Sequence, residues 1–193
     1  MYNSNVKEIP MADILYSQTK DFSEVGSITL YSDGTYLVGL TMPSQQYTLP
    51  ADTLKIEEAS LPIFDETFAW LSAYFKGHIP KELPPIRFIG TDFRRSVWQA
   101  LCQIPAGSLI TYGDLAKKLY PQDNNMGIRA RAIGGAVGHN PIPIIVPCHR
   151  VIGSNRNLTG YTGGLAVKVK LLELEGIDVS QLKWPKRTTK NTV

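Results

Sequence analysis

Asn140-Pro141-Ile142-Pro143-Ile144-Ile145-Val146-Pro147-Cys148-His149-Arg150-Val151 is the stretch on which the reading of this chain turns. Prolines at 141, 143 and 147 fix φ and bias the residues before them toward extended backbone. The apolar residues between them demand burial. The stretch is therefore expected to be a rigid, buried segment that delivers one thiol, beside an imidazole, to a defined spot. Such delivery serves a nucleophile and is unnecessary for a cysteine that only fills space. Cys102, at the apolar end of a helix, shows the packing alternative, which is the commoner fate of a buried cysteine.

The chain has 193 residues, 43% of them hydrophobic, enough for one large domain or two small ones with a proper core. No apolar run approaches the ~20 residues of a membrane span, and the start lacks the pattern of a secretion signal. No membrane association is expected. Two cysteines are too few for a disulfide framework. A reducing cytoplasm is the natural reading, or the nucleus if the source is a eukaryote. Charge is uneven. Residues 1–90 carry six Lys/Arg against eleven Asp/Glu, a net of −5, and residues 91–193 carry fourteen against six, a net of +8. A basic half joined to an acidic one suggests that the basic half meets a polyanion.

Away from the opening stretch, the patterning predicts an α+β chain: a small N-terminal α/β domain over residues 1–90, a mainly helical domain over 91–180, and a disordered basic tail over 181–193. Ile28 and Leu30 alternate with polar residues and Ser32-Asp33-Gly34 turns the chain, so 25–40 reads as a hairpin. Residues 41–60, with Pro43 and Pro50, read mostly as loop. Phe64, Phe68, Leu71 and Phe75 repeat at helical spacing and Gly77 stops the helix. Ile86 to Ile89 reads as a short strand, completing an antiparallel sheet with a helix. Nothing in this half looks catalytic.

In the second half Thr91 or Asp92 caps a helix that presents Phe93, Val97, Ala100 and Leu101 on one face. Thr111 and Asp114 have capping-box spacing. Tyr120 to Asn125 is a turn, and Gly127 to Gly138 is a helix of small residues carrying Arg129 and Arg131. Two short helices joined by a turn form a helix-turn-helix pattern, a weak signal taken alone. Ile152 to Asn155 reads as loop. Leu165 to Glu175 is a helix with Gly176 as its C′ residue.

A thiol at its ordinary pKa is only a few per cent ionised at pH 7, so a nucleophile needs a base. His149 is the candidate. Adjacent side chains face each other poorly in strand or helix, and a bridging water would solve that geometry. The imidazole needs an acceptor on its other nitrogen, with Glu175 and Glu173 competing for that place. Neither Cys-x-x-Cys nor another ligand spacing is present, so no metal and no cofactor are expected. A cysteine hydrolase and an ordinary major-groove regulator are the competing classes. The first needs an oxyanion hole that the sequence does not disclose, and the second needs longer polar side chains on the second helix.

The 140–151 run resembles the active-site signature of the O6-alkylguanine-DNA alkyltransferases (methylated-DNA–protein-cysteine methyltransferases). So do Val97-Trp98-Gln99-Ala100-Leu101, Ile104-Pro105-Ala106-Gly107, Thr111-Tyr112-Gly113-Asp114-Leu115-Ala116, Arg131-Ala132-Ile133-Gly134-Gly135-Ala136 and Gly160-Tyr161-Thr162-Gly163-Gly164, with Lys168 and Glu175-Gly176 beyond. These motifs follow the family's order over 91–176. The resemblance implies a ribonuclease-H-like N-terminal domain and a one-shot repair reaction. An O6-alkylguanine, and O4-alkylthymine as a second substrate, is flipped out of duplex DNA through the minor groove and its alkyl group is kept by the protein. A monomer is expected, with cooperativity on DNA left open.

Transferred position by position, Cys148 is the alkyl acceptor, His149 takes its proton through a water, and Glu175 holds His149. Asn140 braces the segment, and Tyr112 donates to the guanine ring. The carbonyls of Cys148 and Val151 accept from the guanine amino group, backbone N–H groups near Tyr161 and Thr162 meet the base oxygen, and Gly160 leaves room for the substrate near the site. Arg131 fills the gap left in the duplex, while Ala130, Ala132, Gly134 and Gly135 allow close approach. The Tyr120–Ile128 link is a few residues longer than is usual in the family, which leaves Arg129 competing with Arg131. Non-catalytic relatives that bind alkylguanine lack the cysteine, so Cys148 argues against that class.

Overall fold

The computed structural model describes residues 14–43, 45 and 55–185. Its first part is a four-stranded sheet under one helix. β1 (Ile14–Phe22) pairs antiparallel with β2 (Gly26–Ser32), and β2 pairs antiparallel with β3 (Leu37–Thr41). β4 (Lys55–Glu58) lies parallel to β1, giving the order β3-β2-β1-β4. The expected hairpin is β2–β3. Asp33 turns it by accepting, at Oδ1, from the N–H groups of Thr35 and Tyr36 at 3.0 and 2.8 Å.

The sheet is mixed, which corrects the antiparallel expectation. β4 falls in a stretch read as loop because Lys55-Ile56-Glu57-Glu58 is a charged edge strand. Ile86–Ile89 is not a strand: Ile86 makes a single bridge to Leu37. Pro84-Pro85 cannot donate to a ladder, so the contact reduces to Leu37 N–H on the Pro85 carbonyl (2.8 Å) and Arg87 N–H on the Leu37 carbonyl (3.0 Å).

α1 (Pro62–Phe75) starts on a proline, whose missing N–H costs nothing in the first turn. It buries Phe64, Phe68, Leu71 and Phe75 and ends before Gly77, which turns at φ 82°. The Phe22 ring of β1 stands 5.2 Å from Phe75 and 6.2 Å from Phe68, fastening helix to sheet.

The second part is helical. Thr91, rather than Asp92, caps α2 (Asp92–Cys102) by accepting from Arg94 N–H. α3 (Tyr112–Leu119) is capped by Thr111, which accepts from Asp114 N–H at 3.1 Å. The Asp114 carboxylate returns to the Thr111 hydroxyl at 2.6 Å, not to its N–H, so the capping box is a variant one. α4 (Met126–Gly138) packs across α3 and α2, and Trp98 Nε1 pins it by donating to the Ala136 carbonyl at 2.8 Å. α5 (Leu165–Leu174) closes at Glu175 with Gly176 at φ 78°, as expected.

Two expectations fail beyond α4. Ile152 belongs to β6 (Val151–Ile152), which pairs parallel with β5 (Ile110–Thr111) and continues into a 3-10 turn at Ser154–Arg156. The expected tail is held at its start. Leu182 is buried, Lys183 N–H donates to the Arg156 carbonyl at 2.9 Å, and Leu158 N–H donates to the Lys183 carbonyl at 2.7 Å. Tail residues 186–193 and Pro50 lie outside the described residues. One apolar core runs from Phe22, through Leu40 and Tyr74, to Ile133, Cys148 and Leu171. The two parts are therefore packed as one body around the Cys148 segment.

Candidate active site

α4 ends at Gly138, and the chain must turn sharply to bury the proline-rich run. Asn140 makes that turn with its own amide: Oδ1 accepts from Ile142 N–H at 3.0 Å and Nδ2 donates to the Val146 carbonyl at 2.8 Å. β3 docks on the same run, with Leu40 N–H donating to the Pro141 carbonyl at 2.8 Å. Ile144 sits at φ 74°, a region a β-branched side chain rarely enters. Such strain costs about 1–3 kcal/mol and persists only where its surroundings over-determine it. Pro147 then opens a 3-10 turn, Cys148–Arg150, and all three of its residues are buried.

The turn aims His149 and Arg150 at one carboxylate. His149 Nε2 donates to Glu175 Oε1 at 2.7 Å. Arg150 holds both oxygens, with Nε to Oε2 and Nη2 to Oε1, each at 2.8 Å, while Nη1 donates to the Ile104 carbonyl. Glu175 is thus the orienter, and Glu173 points to solvent. Burial pushes the Glu175 carboxyl up, but hydrogen bonds from His149 and Arg150 outweigh it and hold the pKa at about 2. A carboxylate this acidic has no proton to give, so Nε2 must carry the hydrogen. Nδ1 is then the lone-pair nitrogen. It is buried and has no hydrogen-bond partner among the described residues. Burial also lowers the pKa of His149 itself, so the ring is neutral at rest.

Cys148 is not ionised at rest. Burial raises its thiol to about 11, against smaller opposing effects from Asn140 and Lys168, leaving about one molecule in ten thousand as thiolate at pH 7. The proton must leave during the reaction, and a neutral imidazole with a vacant Nδ1 on the next residue can take it. Lys168, itself buried, donates Nζ to the Val151 carbonyl at 2.6 Å, and desolvation lowers it to about 8. Its charge favours the thiolate as that forms.

Around the thiol, Tyr112 at the start of α3 shares a hydrogen bond with Thr159 Oγ1 at 2.9 Å. The Tyr161 ring stands edge-on to the His149 imidazole, centroids 6.4 Å apart. Burial raises the hydroxyls of both tyrosines, and a charge forming on Cys148 would raise them further. Gly160 and Thr162 are exposed at the rim. The carbonyl of Cys148 accepts from Val151 N–H, and that of Val151 accepts from Lys168 Nζ.

On α4 the structure separates the competing arginines. Arg129 is paired with Asp123 Oδ2 at 2.5 Å and lies over the Tyr120 ring at 4.6 Å. Arg131 is exposed and makes none of the hydrogen bonds or ion pairs found among the described residues. Ala132 and Gly135 share its exposed side, and a Cβ on Gly135 would meet nothing within 4 Å. Ala130 and Gly134 are half-buried. Gly134 faces inward, where a Cβ would lie 3.8 Å from the Tyr112 ring. Gly134 therefore serves α3–α4 packing, not the outer surface.

Three participants escaped the sequence reading. Arg150 and Lys168 stood in quoted motifs without a role. Tyr74, in the half judged to hold nothing catalytic, donates its hydroxyl to Glu175 Oε1 at 2.8 Å. The adjacency of Arg150 to His149 was a usable signal; nothing local marks Tyr74.

Comparison with known proteins identifies the family. Residues 92–177 match the family described as 6-O-methylguanine DNA methyltransferase, DNA binding domain, and residues 15–87 match its ribonuclease-like domain. A methylated-DNA–protein-cysteine methyltransferase from Haemophilus influenzae is 40% identical over 156 residues, covering 80% of this chain and 83% of that protein. One from Mycobacterium bovis is 42% identical over 153 residues, covering 79% and 88%. The crystal structure of Mycobacterium tuberculosis OGT in complex with DNA superposes with a TM-score of 0.71 at 38% identity, covering 88% of this chain and 94% of that one. With both parts matched, and relatives matched over most of their length, the chain belongs to the 6-O-methylguanine DNA methyltransferase family.

Proposed function

We propose that this protein is a methylated-DNA–protein-cysteine S-methyltransferase that repairs O6-alkylguanine, and O4-alkylthymine, by moving the alkyl group to Cys148. The observation that carries this reading is the buried Cys148–His149–Glu175 set, in which a neutral imidazole offers its free nitrogen beside a protonated thiol. The relatives' names and the DNA-bound neighbour support the substrate class.

The thiol proton passes to His149 Nδ1 through a water, and Glu175 stabilises the imidazolium. The Cys148 sulfur forms a bond to the alkyl carbon while the carbon–O6 bond breaks, and its electron pair goes to the base. Tyr112 donates a hydrogen bond to the guanine ring as that charge develops. The Cys148 and Val151 carbonyls accept from the guanine amino group, and backbone N–H groups near Tyr161 and Thr162 donate to the base oxygen. A thioether has no carbonyl for water to attack, so each molecule reacts once.

An alkyl group on O6 lies within the stack, so the nucleotide must leave the duplex, which costs a few kcal/mol. Arg131 enters the vacated position from the minor groove, and Ala132 and Gly135 keep the helix surface low enough to approach. The protein acts as a monomer, and its free thiol suits a reducing compartment.

Incubation with a duplex containing O6-methylguanine tests the proposal. Intact mass is expected to rise by one methylene on Cys148, with one guanine restored per protein and no second turnover. Cys148→Ala is expected to bind without reacting. Repeated turnover, or a duplex left methylated with the thiol intact, would refute the reading.

A further inference from the structure

Tyr74 is the largest of the fully buried side chains, and the oxygen it contacts lies 101 residues away. A buried phenol must find a partner for its O–H. Its ring is fixed before the hydroxyl is considered: it stacks on Trp70 at 5.4 Å with planes 10° apart, and meets Phe75 edge-on at 5.7 Å. Trp70 is anchored in turn by its indole N–H on the Glu82 carbonyl at 2.8 Å. The hydroxyl is therefore held at one point, 2.8 Å from Glu175 Oε1 and 3.4 Å from His149 Nε2.

Glu175 Oε1 receives three donors: His149 Nε2, Arg150 Nη2 and the Tyr74 hydroxyl. Oε2 receives Arg150 Nε and, at 3.4 Å, Gly107 N–H. Arg150 sets the plane of the carboxylate. Tyr74 shares the oxygen that holds the imidazole, so it draws off part of the negative charge that would otherwise stabilise the imidazolium. Burial and the neighbouring carboxylate push the phenol far above its usual range, so it remains a donor at any working pH. The other titratable groups around the ring are Cys148 and Arg150 on its own turn, Lys168 on α5 and Tyr161 in the loop before it.

We infer that Tyr74 is a positioning residue of the proton relay, a hydroxyl supplied by the N-terminal part that fixes the Glu175 carboxylate and keeps His149 a weak base. This rests on the proposed reaction at Cys148, and the test keeps the two apart.

The full chain and a duplex containing O6-methylguanine are used in single turnover from about pH 5.5 to 9. Wild type must first transfer the methyl group; failure there sinks the proposed function. Tyr74→Phe keeps the ring and removes the oxygen. Its acid limb is expected to move up by roughly half a unit to one unit, so that the rate on that limb falls several-fold relative to that at pH 8. Phe75→Leu, a packing change in the same helical turn, is expected to lower the melting temperature and leave the limb in place. A Tyr74→Phe profile that coincides with wild type, or an equal shift in Phe75→Leu, would overturn the inference while leaving the proposed function intact.

Discussion

His149 is fully enclosed, with one nitrogen committed to Glu175, so its titration is set by the interior and not by solvent. Burial is the largest influence and moves its pKa below 6.5. A base that must be neutral to accept the thiol proton fails only as pH falls through that lowered value. The single-turnover rate is therefore expected to be level above about pH 6.5 and to decline below it; an acid limb centred above pH 7 would contradict the neutral-base assignment. Glu175 gives a second pH effect. Its folded pKa of about 2 lies below the ordinary 4.5, so the stability it contributes is complete above pH 4.5 and is lost as pH falls toward 2. Neutralising it permanently in Glu175→Gln leaves the Arg150 charge buried without its partner, and is expected to remove about 3–5 kcal/mol at neutral pH by denaturant titration. Cys148, His149 and Glu175 were legible because the chemistry of a thiol and an imidazole is local and the resemblance named the carboxylate. Tyr74 was not: in sequence it is one aromatic in the periodic face of a helix, and only the fold brings it to Glu175.

Elements show the same division. α1 to α5 were readable because caps, apolar spacing and stop residues are local signals: Thr91, Thr111, Gly77 and Gly176 each act within one turn. β1, β4 and β6 were missed because their pairing is decided elsewhere in the chain. The middle of β1, Ser17-Gln18-Thr19-Lys20-Asp21, shows no apolar alternation, and β6 is defined only by its partner Ile110–Thr111. The Cys148 segment is an element without regular hydrogen bonding, and Asn140 takes that role. Asn140→Ala leaves the Ile142 N–H buried without its acceptor, at about 1–3 kcal/mol, and takes one of the two donors from the Val146 carbonyl, which keeps the Cys148 N–H at 2.8 Å. A lower melting temperature together with slowed methyl transfer is expected; a fully active, equally stable variant would show that the prolines alone hold the turn. On α4, Arg131 has no partner among the described residues and Arg129 is tethered to Asp123. With a 2-aminopurine reporter beside the lesion, Arg131→Ala is expected to reduce base extrusion more than duplex affinity. Arg129→Ala should loosen the α3–α4 link and lower thermal stability without that selectivity. Reversed phenotypes would reassign the inserted side chain.

For the molecule as a whole, charge and packing divide differently. The core is shared: Leu40 holds Pro141, the Met42 side chain reaches Gly163, where a Cβ would come within 2.7 Å of it, and Tyr74 completes the Glu175 shell. Charge is segregated, with −5 over residues 1–90 and +8 over 91–193. If the proposed function holds, a polyanion is repelled by the first part of the chain and drawn to the second, so the α3–α4 side is expected to meet DNA first. Lys117 and Lys118 stand exposed in the last turn of α3, the helix that crosses the backbone in this type of motif. If each neutralises one phosphate, replacing both with alanine is expected to reduce the slope of log K against log salt by about 1.8. Affinity should fall alike on methylated and plain duplexes. Removing two acidic charges from the far sheet edge, as Glu57→Gln with Glu58→Gln, leaves the number of neutralised phosphates unchanged, so K should rise modestly at low salt with almost no change in slope. Anisotropy titrations across a salt series distinguish these outcomes. Equal slope changes from both pairs would mean that the basic half acts through net charge alone and that α3 does not lie on the phosphates.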